Sequence, residues 1–562
     1  MSQLLPSPNV TGIDHLPDEI LSAIFDNSEV PLEDLFQLRL VSRRLHYFAL
    51  PLYLARFKIK EPTTLAHIVL KDRPIGTLDA LDGLQAALYV RSLETVTFTF
   101  DLNNTPNDTQ IAMRHMRRVH HFLDSLTAVR SVVLIFGDTI CGCCSGLAEG
   151  ETLDDGLLEW SSTAGRMLNK ILEKSCQTLR IRGGRYLSHA FLFRFGKHDK
   201  PMSGRFTALR NLFRNRGSSQ DDLESPEDWI NVLRGDTWTF ERAKNTGTAL
   251  VLTPMTVLAR AQSSIRSLHI QSMMLSVPPL LHWTIATIQL SSMTTLKLSK
   301  LSINRKCWPA LFSLIADANS ELSEIHLERI RQITPSDLLR FLGRFPKLST
   351  LHLARDVESI DSYDLGPFPD FPCLISLAAP ASWVLKLLSS QRMGLGRLES
   401  LTIFYKLRNE GLSNWLRRTP GPSIPTLLKE QKRPLTVSLD VCLGNNPGWR
   451  MLEDIDTPES ARRTDIGDVS SLTLIFDEKL IKDDIPVTSV LPRWIGLFFD
   501  LRHLAINTKP NTINPEELTK VKNSVKEGGG LAAIWNFEVD GMEIELEKEP
   551  PLLNVDSNDV KS

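Results

Sequence analysis

A short apolar phrase that keeps returning limits what this chain can fold into more than any other feature. The phrase reads apolar-x-x-apolar-x-apolar. It appears as Leu93-Glu94-Thr95-Val96-Thr97-Phe98, as Val129-Arg130-Ser131-Val132-Val133-Leu134 and as Ile265-Arg266-Ser267-Leu268-His269-Ile270. It returns at 293–298, 322–327, 348–353, 398–403 and 501–506. The fourth positions of the middle phrases fall at 268, 296, 325 and 351, in steps of 28, 29 and 26 residues. A further unit at Leu374-Ile375-Ser376-Leu377 splits the gap to Leu401 into steps of 26 and 24. Earlier spacing is looser, with 36 residues between Val96 and Val132. Alternation at period two is the mark of a strand. Its return at a near-constant interval is the mark of a repeat architecture.

The stretches between phrases read as helices. Thr334-Pro335-Ser336-Asp337 sets a cap residue, a first-turn proline and an acid ahead of Leu338, Leu339, Phe341 and Leu342. Asn514-Pro515-Glu516-Glu517 does the same near the end, and Gly528-Gly529-Gly530 stops that helix. Strand, helix, strand at this period predicts right-handed crossovers and a parallel sheet. No unit buries its apolar face alone, so the units are expected to stack into a solenoid. The expected fold class is therefore α/β, with parallel strands and outer helices. Two regions break the pattern: the Gly-rich loop Cys141-Gly142-Cys143-Cys144-Ser145-Gly146, and a polar insertion over 197–248. The expected boundaries are a disordered lead at 1–12, a helical module at 13–60, the repeat body at 61–545 and a disordered tail at 546–562.

The N-terminal module is the second informative segment. In Leu16-Pro17-Asp18-Glu19-Ile20-Leu21-Ser22-Ala23-Ile24-Phe25, Pro17 suits the first helical position and the two acids suit the positive helix end. Ile20, Leu21, Ile24 and Phe25 share one face. Leu16 stands outside that helix, where no intrahelical neighbour need bury it. A second helix is expected over about 32–41, with Leu35, Leu38 and Val41 recurring three apart. Ser42 then caps a third, with Leu45, Phe48 and Ala49 as its apolar face and Pro51 as its end. Three short helices in under 40 residues rarely bury enough surface to fold alone. The module either packs on the rest of the chain or completes its core on another protein, and periodicity does not choose between them.

Leu16-Pro17-x-Glu19-Ile20-Leu21-x-x-Ile24-Phe25, followed by Asp34-Leu35-x-x-Leu38-Arg39-Leu40-Val41-Ser42-Arg43-Arg44-Leu45, closely resembles the F-box. The resemblance implies a small helical F-box that binds a Skp-family adaptor, and through it a cullin scaffold. It implies that Leu16 and Pro17 sit at the adaptor contact, and extends the same role to Ile20, Ile24, Leu35, Leu38, Val41 and Leu45. Some of these must form the module's own core. The body units, above all Phe345-Pro346-Lys347-Leu348-Ser349-Thr350-Leu351-His352-Leu353, resemble leucine-rich repeats of the kind that follow F-boxes, in an irregular register. Together the two resemblances imply the substrate receptor of an SCF-type ubiquitin ligase with an unknown protein substrate. The alternative is a Skp-binding scaffold without a role in degradation.

Composition removes other classes. A net charge of −2 over 562 residues does not suggest a nucleic-acid binder. The face formed by Arg114, Arg117, Arg118, His120 and His121 reads as a solvated helix face, and Arg182-Gly183-Gly184-Arg185 as a turn. No apolar run of about 18 residues occurs, so no membrane span is expected. The opening Met1-Ser2-Gln3-Leu4-Leu5-Pro6-Ser7 has neither a basic nor an apolar signal region, so no signal peptide is expected. Seven cysteines in this length do not make a disulfide framework and suit a reducing compartment, cytoplasm or nucleus. Cys141, Cys143 and Cys144, with His115, His120 and His121 upstream, lack the paired spacing of a zinc site. No metal, cofactor or catalytic motif is expected, and an enzyme is not.

Overall fold

The recurring phrases form strands, and each strand lies parallel to its neighbour. A computed structural model describes residues 16–25, 30–101, 108–137, 153–184, 191–194, 238–242, 249–252, 263–276, 280–357, 369–390, 397–407, 435–443, 469–476, 501–508 and 534–543, isolated positions apart. The expected lead, the Cys141–Cys144 loop and the tail lie outside the described residues, and of the helix expected over 514–530 only Glu516, Thr519, Lys520 and Asn523 are described, each helical. The chain divides into two compact units, Met1–Leu322 with Ile330–Gln332, and Ser323–Arg329 with Ile333–Ser562.

In the first unit, β1 (Leu65–Lys71), β2 (Ser92–Asp101), β3 (Ala128–Phe136), β4 (Thr178–Arg182), β8 (Ser267–Gln271) and β9 (Thr295–Ser299) are neighbours in that order. Their registers put Ala66, Val96, Val132, Leu179, Leu268 and Leu296 in one row across the sheet. Ile68, Phe98, Leu134, Ile181, Ile270 and Leu298 make the next row, and both rows are buried. Because side chains alternate across a strand, both rows face the same side. That side carries the helices: Phe98 meets Phe122 of α5 (Asp108–Ser125) edge-on at 6.3 Å. The row between them, including Thr97, Val133, Arg180, His269 and Lys297, is only half-buried.

Between β4 and β8, a separate antiparallel sheet is built from β5 (Phe191–Arg194), β6 (Trp238–Arg242) and β7 (Ala249–Leu252). The segment expected as a polar insertion thus contains regular structure. β4 itself is a phrase in disguise. Cys176 takes the first apolar place ahead of Leu179 and Ile181, and is fully buried. Burial pushes its thiol up to about 12, so it packs as a small hydrophobe. Gly183 and Gly184, after β4, have φ of 75° and 77°, a backbone region that favours glycine.

The second unit runs β10 (Glu324–Glu328), β11 (Thr350–Leu353), β12 (Ser376–Pro380), β13 (Ser400–Leu407), β14 (Thr436–Leu443), β15 (Val469–Phe476), β16 (His503–Thr508) and β17 (Asn536–Val539), all parallel. Ile325, Leu351, Leu377, Leu401 and Val437 form its first buried row. The pairing slips after Val437, where β14 meets β15. β18 (Met542–Glu543) turns back antiparallel through Asp540-Gly541, both at positive φ. An Asp-Gly pair is the ordinary choice for such a tight hairpin. The helix predicted after Thr334 spans Pro335–Leu342, and the Thr334 hydroxyl accepts from Asp337 N at 3.0 Å. The chain is therefore a mixed α/β protein, with helices at its N-terminal module and parallel-dominated sheet in the body.

Candidate functional site

The module comprises α1 (Asp18–Phe25), α2 (Leu32–Leu38) and α3 (Arg43–Arg56). The carbonyl of Pro17 accepts from Ile20 N and Leu21 N at 3.1 and 3.0 Å, so Pro17 is the residue before the first helical one. α2 ends at Leu38, three residues short of the expected end, in tight turns from Leu40 N to Gln37 O and from Val41 N to Leu38 O. Ser42 caps α3 as expected, its hydroxyl accepting from Leu45 N at 3.2 Å.

Pro51 does not end α3. The helix continues for five more residues and closes in a Schellman turn, with Lys58 at positive φ. Lys58 N bonds Ala55 O at 2.9 Å and Ile59 N bonds Leu54 O at 3.1 Å. An interior proline costs a helix about 3 kcal/mol. Here Leu50, Tyr53 and Leu54, on either side of the exposed Pro51, are fully buried, and their burial exceeds that cost.

The structure sorts the eight candidate contact residues. Leu21, Phe25 and Leu45 form the module's core, with Leu16, Leu38, Phe48 and Leu52 packed against it. Leu45 and Leu35 are fully buried, so they hold the module together and present nothing to a partner. Leu16 is not free-standing as expected: it is partly buried against that core. Arg44 fixes the entry to α1, donating to Leu16 O at 2.6 Å and to the Asp18 carboxylate. Pro17, Ile20, Ile24 and Val41 remain exposed, the last three by 47%, 41% and 62%. Leu40, 63% exposed, joins them and was not singled out in the sequence. Its place in the helical period lies off the Leu35–Leu38 face, and the early end of α2 leaves it in the turn before Ser42.

α3 also faces the body. Tyr53 Oη donates to Asp79 O at 2.7 Å, and Leu88 N donates to His46 Nε2 at 3.3 Å. Tyr47 stacks on Tyr89 with ring centres 5.8 Å apart. So the module packs on the rest of its own chain. The two pack tightly at Gly83 in α4 (Ala80–Ala86), where a Cβ would stand 2.5 Å from Tyr53 Cε1 and 2.9 Å from Leu54 Cδ2. The Tyr53 ring is tethered by its hydroxyl and has little room to yield. Gly83→Ala is therefore expected to destabilise the chain by about 1–3 kcal/mol, the usual cost of overpacking. A denaturant melt no lower than wild type would show that the seam relaxes instead.

Beside this seam lies a polar network. Asp79 caps α4, accepting from Leu81 N and Asp82 N at 3.0 and 3.2 Å, while Asp82 accepts from Asp79 N at 3.0 Å. Arg118 of α5 donates to both oxygens of Asp79 and to Asp82, each at 2.8 Å. Burial pulls the Asp79 pKa up, but Arg118 and the cap hydrogen bonds outweigh it and leave Asp79 below the usual value. Asp82 lies above it, through burial and the neighbouring Asp79 charge. His115 is buried, with Nε2 3.2 Å from Lys71 O and Nδ1 3.4 Å from Arg118. Burial, with Arg118 and Arg114 nearby, pushes it down to about 4, so it is neutral at pH 7. Of the helix face expected to be solvated, Arg118 turns inward, and His115 beside it is buried. Arg117, by contrast, pairs with Glu159 on the surface.

Among the described residues no group of three or more His, Cys, Asp or Glu is placed to hold a metal, and no helix is long and apolar enough to cross a membrane. No curated protein matches the chain. Residues 13–57, spanning all three helices, match the family model described as F-box-like, and the chain carries an F-box-like domain there.

Proposed function

We propose that this chain is the substrate-recognition subunit of an SCF-type cullin–RING ubiquitin ligase. The F-box-like domain docks a Skp-family adaptor, which binds the cullin, and the body holds a protein target. The observation that carries this reading is the match over 13–57 joined to four exposed aliphatic side chains, Ile20, Ile24, Leu40 and Val41, on that same small domain. A domain that size with so much of its apolar surface turned outward is suited to bury it on a partner. The body is read as an irregular leucine-rich-repeat-like solenoid. Its parallel strands at a repeating interval and its half-buried polar rows support that reading. The chain then acts by position, raising the local concentration of its target near a charged ubiquitin carrier, and needs no catalytic residues of its own.

The test is co-isolation from cells with the proteasome blocked, comparing the intact chain with Ile20→Asp/Ile24→Asp. Adaptor and cullin should accompany the intact chain and be lost from the variant, and ubiquitylated partners should accumulate only with the intact chain. Adaptor binding without any ubiquitylated partner would instead favour a scaffold role.

A further inference from the structure

A cleft of about 610 Å³ opens beside the F-box-like domain, lined by α2, the segment after β1, α4 and α5. Its size falls in the range of pockets for small ligands or short segments. Four cations line it, Arg39, Lys71, Arg114 and Arg118, against two carboxylates, Asp79 and Asp82. The four differ in how far they are committed. Arg118 is committed by three bonds to the two carboxylates. Lys71 and Arg114 reach outside the cleft to Asp101 at 3.8 Å and Asp72 at 4.0 Å, long and partly exposed contacts that hold a side chain weakly. Arg39 lies with its guanidinium carbon 3.7 Å from the centre of the Phe36 ring. Its Nε is buried without a hydrogen-bond partner, a costly state for a charged donor.

We infer that this cleft binds a phosphate monoester or inorganic phosphate, with Arg39, Lys71 and Arg114 as its ligands and Arg118 as a fixed wall. The excess of two positive charges among the lining groups matches a phosphate group, which carries about −1.5 to −2 at neutral pH. Arginine forks suit phosphate geometry. The Asp79–Asp82–Arg118 network keeps the α4 side of the cleft in place without consuming the other three cations. Lys71 and Arg114 lie in the body while Arg39 directly precedes Leu40 and Val41, so calorimetry in the absence of an adaptor tests this site apart from that docking surface.

Titration calorimetry on the full chain at constant ionic strength tests it, with inorganic phosphate in one arm and a phosphoserine hexapeptide in the other. The unphosphorylated hexapeptide is the blank. Saturable heat is expected in at least one arm. Arg39→Gln should weaken that binding about tenfold or more, the loss of one charge-assisted contact. Lys71→Gln, on a half-exposed side chain, should weaken it several-fold without lowering the thermal melt, and so separates binding from folding. Tighter binding of the peptide would assign the site to a phosphate carried on a chain, and tighter binding of the ion to a free one. No saturable heat from either probe, equal binding of the blank, or unchanged affinity in both variants would overturn the inference.

Discussion

Replacing Ile20, Ile24 and Val41 together by Ala is expected to weaken adaptor binding by about 3–5 kcal/mol, roughly 150- to 5,000-fold. Fully burying an aliphatic side chain is worth about 1.5–3 kcal/mol. These three lie 41–62% exposed on the domain's surface, so that gain is available on docking. Alanine removes most of it without touching the core of Leu21, Phe25 and Leu45. The thermal melt of the triple variant should therefore stay close to wild type. Leu45→Ala gives the opposite pattern. It opens a cavity in that core and should cost about 2–5 kcal/mol of stability. Adaptor affinity by calorimetry, with a melt on each variant, separates the two roles. Wild-type affinity in the triple variant would remove this face as the docking surface.

Arg118→Ala is expected to be among the most damaging single changes in the first unit, at about 2–4 kcal/mol near neutral pH. Removing one partner of a buried ionic cluster strands the others, which typically costs 3–5 kcal/mol. The lower range reflects the partial exposure of Arg118 and Asp82, at 27% and 26%. The pH dependence follows from the two carboxyls. Asp79, held below its ordinary value of 3.8, contributes stability that is present above that value and lost as pH falls through its folded pKa. Asp82, raised in the fold, has the opposite sign and offsets part of it. Without Arg118 both carboxyls favour their protonated forms. The gap between wild type and variant should therefore be widest at neutral pH and close as acid protonates the pair. Denaturant melts carried from pH 7 to below 3.8, where Asp79 protonates, measure it. A gap that does not narrow would mean that Arg118 stabilises by packing its stem rather than by its charge.

Strand positions were the most legible part of this protein. A phrase such as Leu348-x-x-Leu351-x-Leu353 states its own register, because slipping by one residue would send Leu351 and Leu353 to the other face. Strands without the full phrase were missed. Cys176 hid β4, since cysteine counts as a leucine only once it is buried. β14 lacks the phrase too, alternating instead as Leu435-x-Val437-x-Leu439. The Thr334 and Ser42 caps were legible because a cap is a local bond over three residues. Pro51 misled for the same reason in reverse. A local rule ended α3 there, and burial of Tyr53 and Leu54 overrode it.

The order of residues alone determined the parallel strand framework and the F-box-like pattern at 13–57, since both rest on spacing within or between short segments. Only the tertiary structure decided which apolar residues of that pattern face inward. Leu35 and Val41 belong to one apolar series recurring three residues apart, yet one is fully buried and the other 62% exposed. Where α2 stops and which side of α3 meets α4 depend on packing between elements distant in sequence. The same holds for Arg118, which reads as one more charge on a basic helix. Its partners Asp79 and Asp82 lie 39 and 36 residues away, and only the folding of α5 against α4 brings the three charges together.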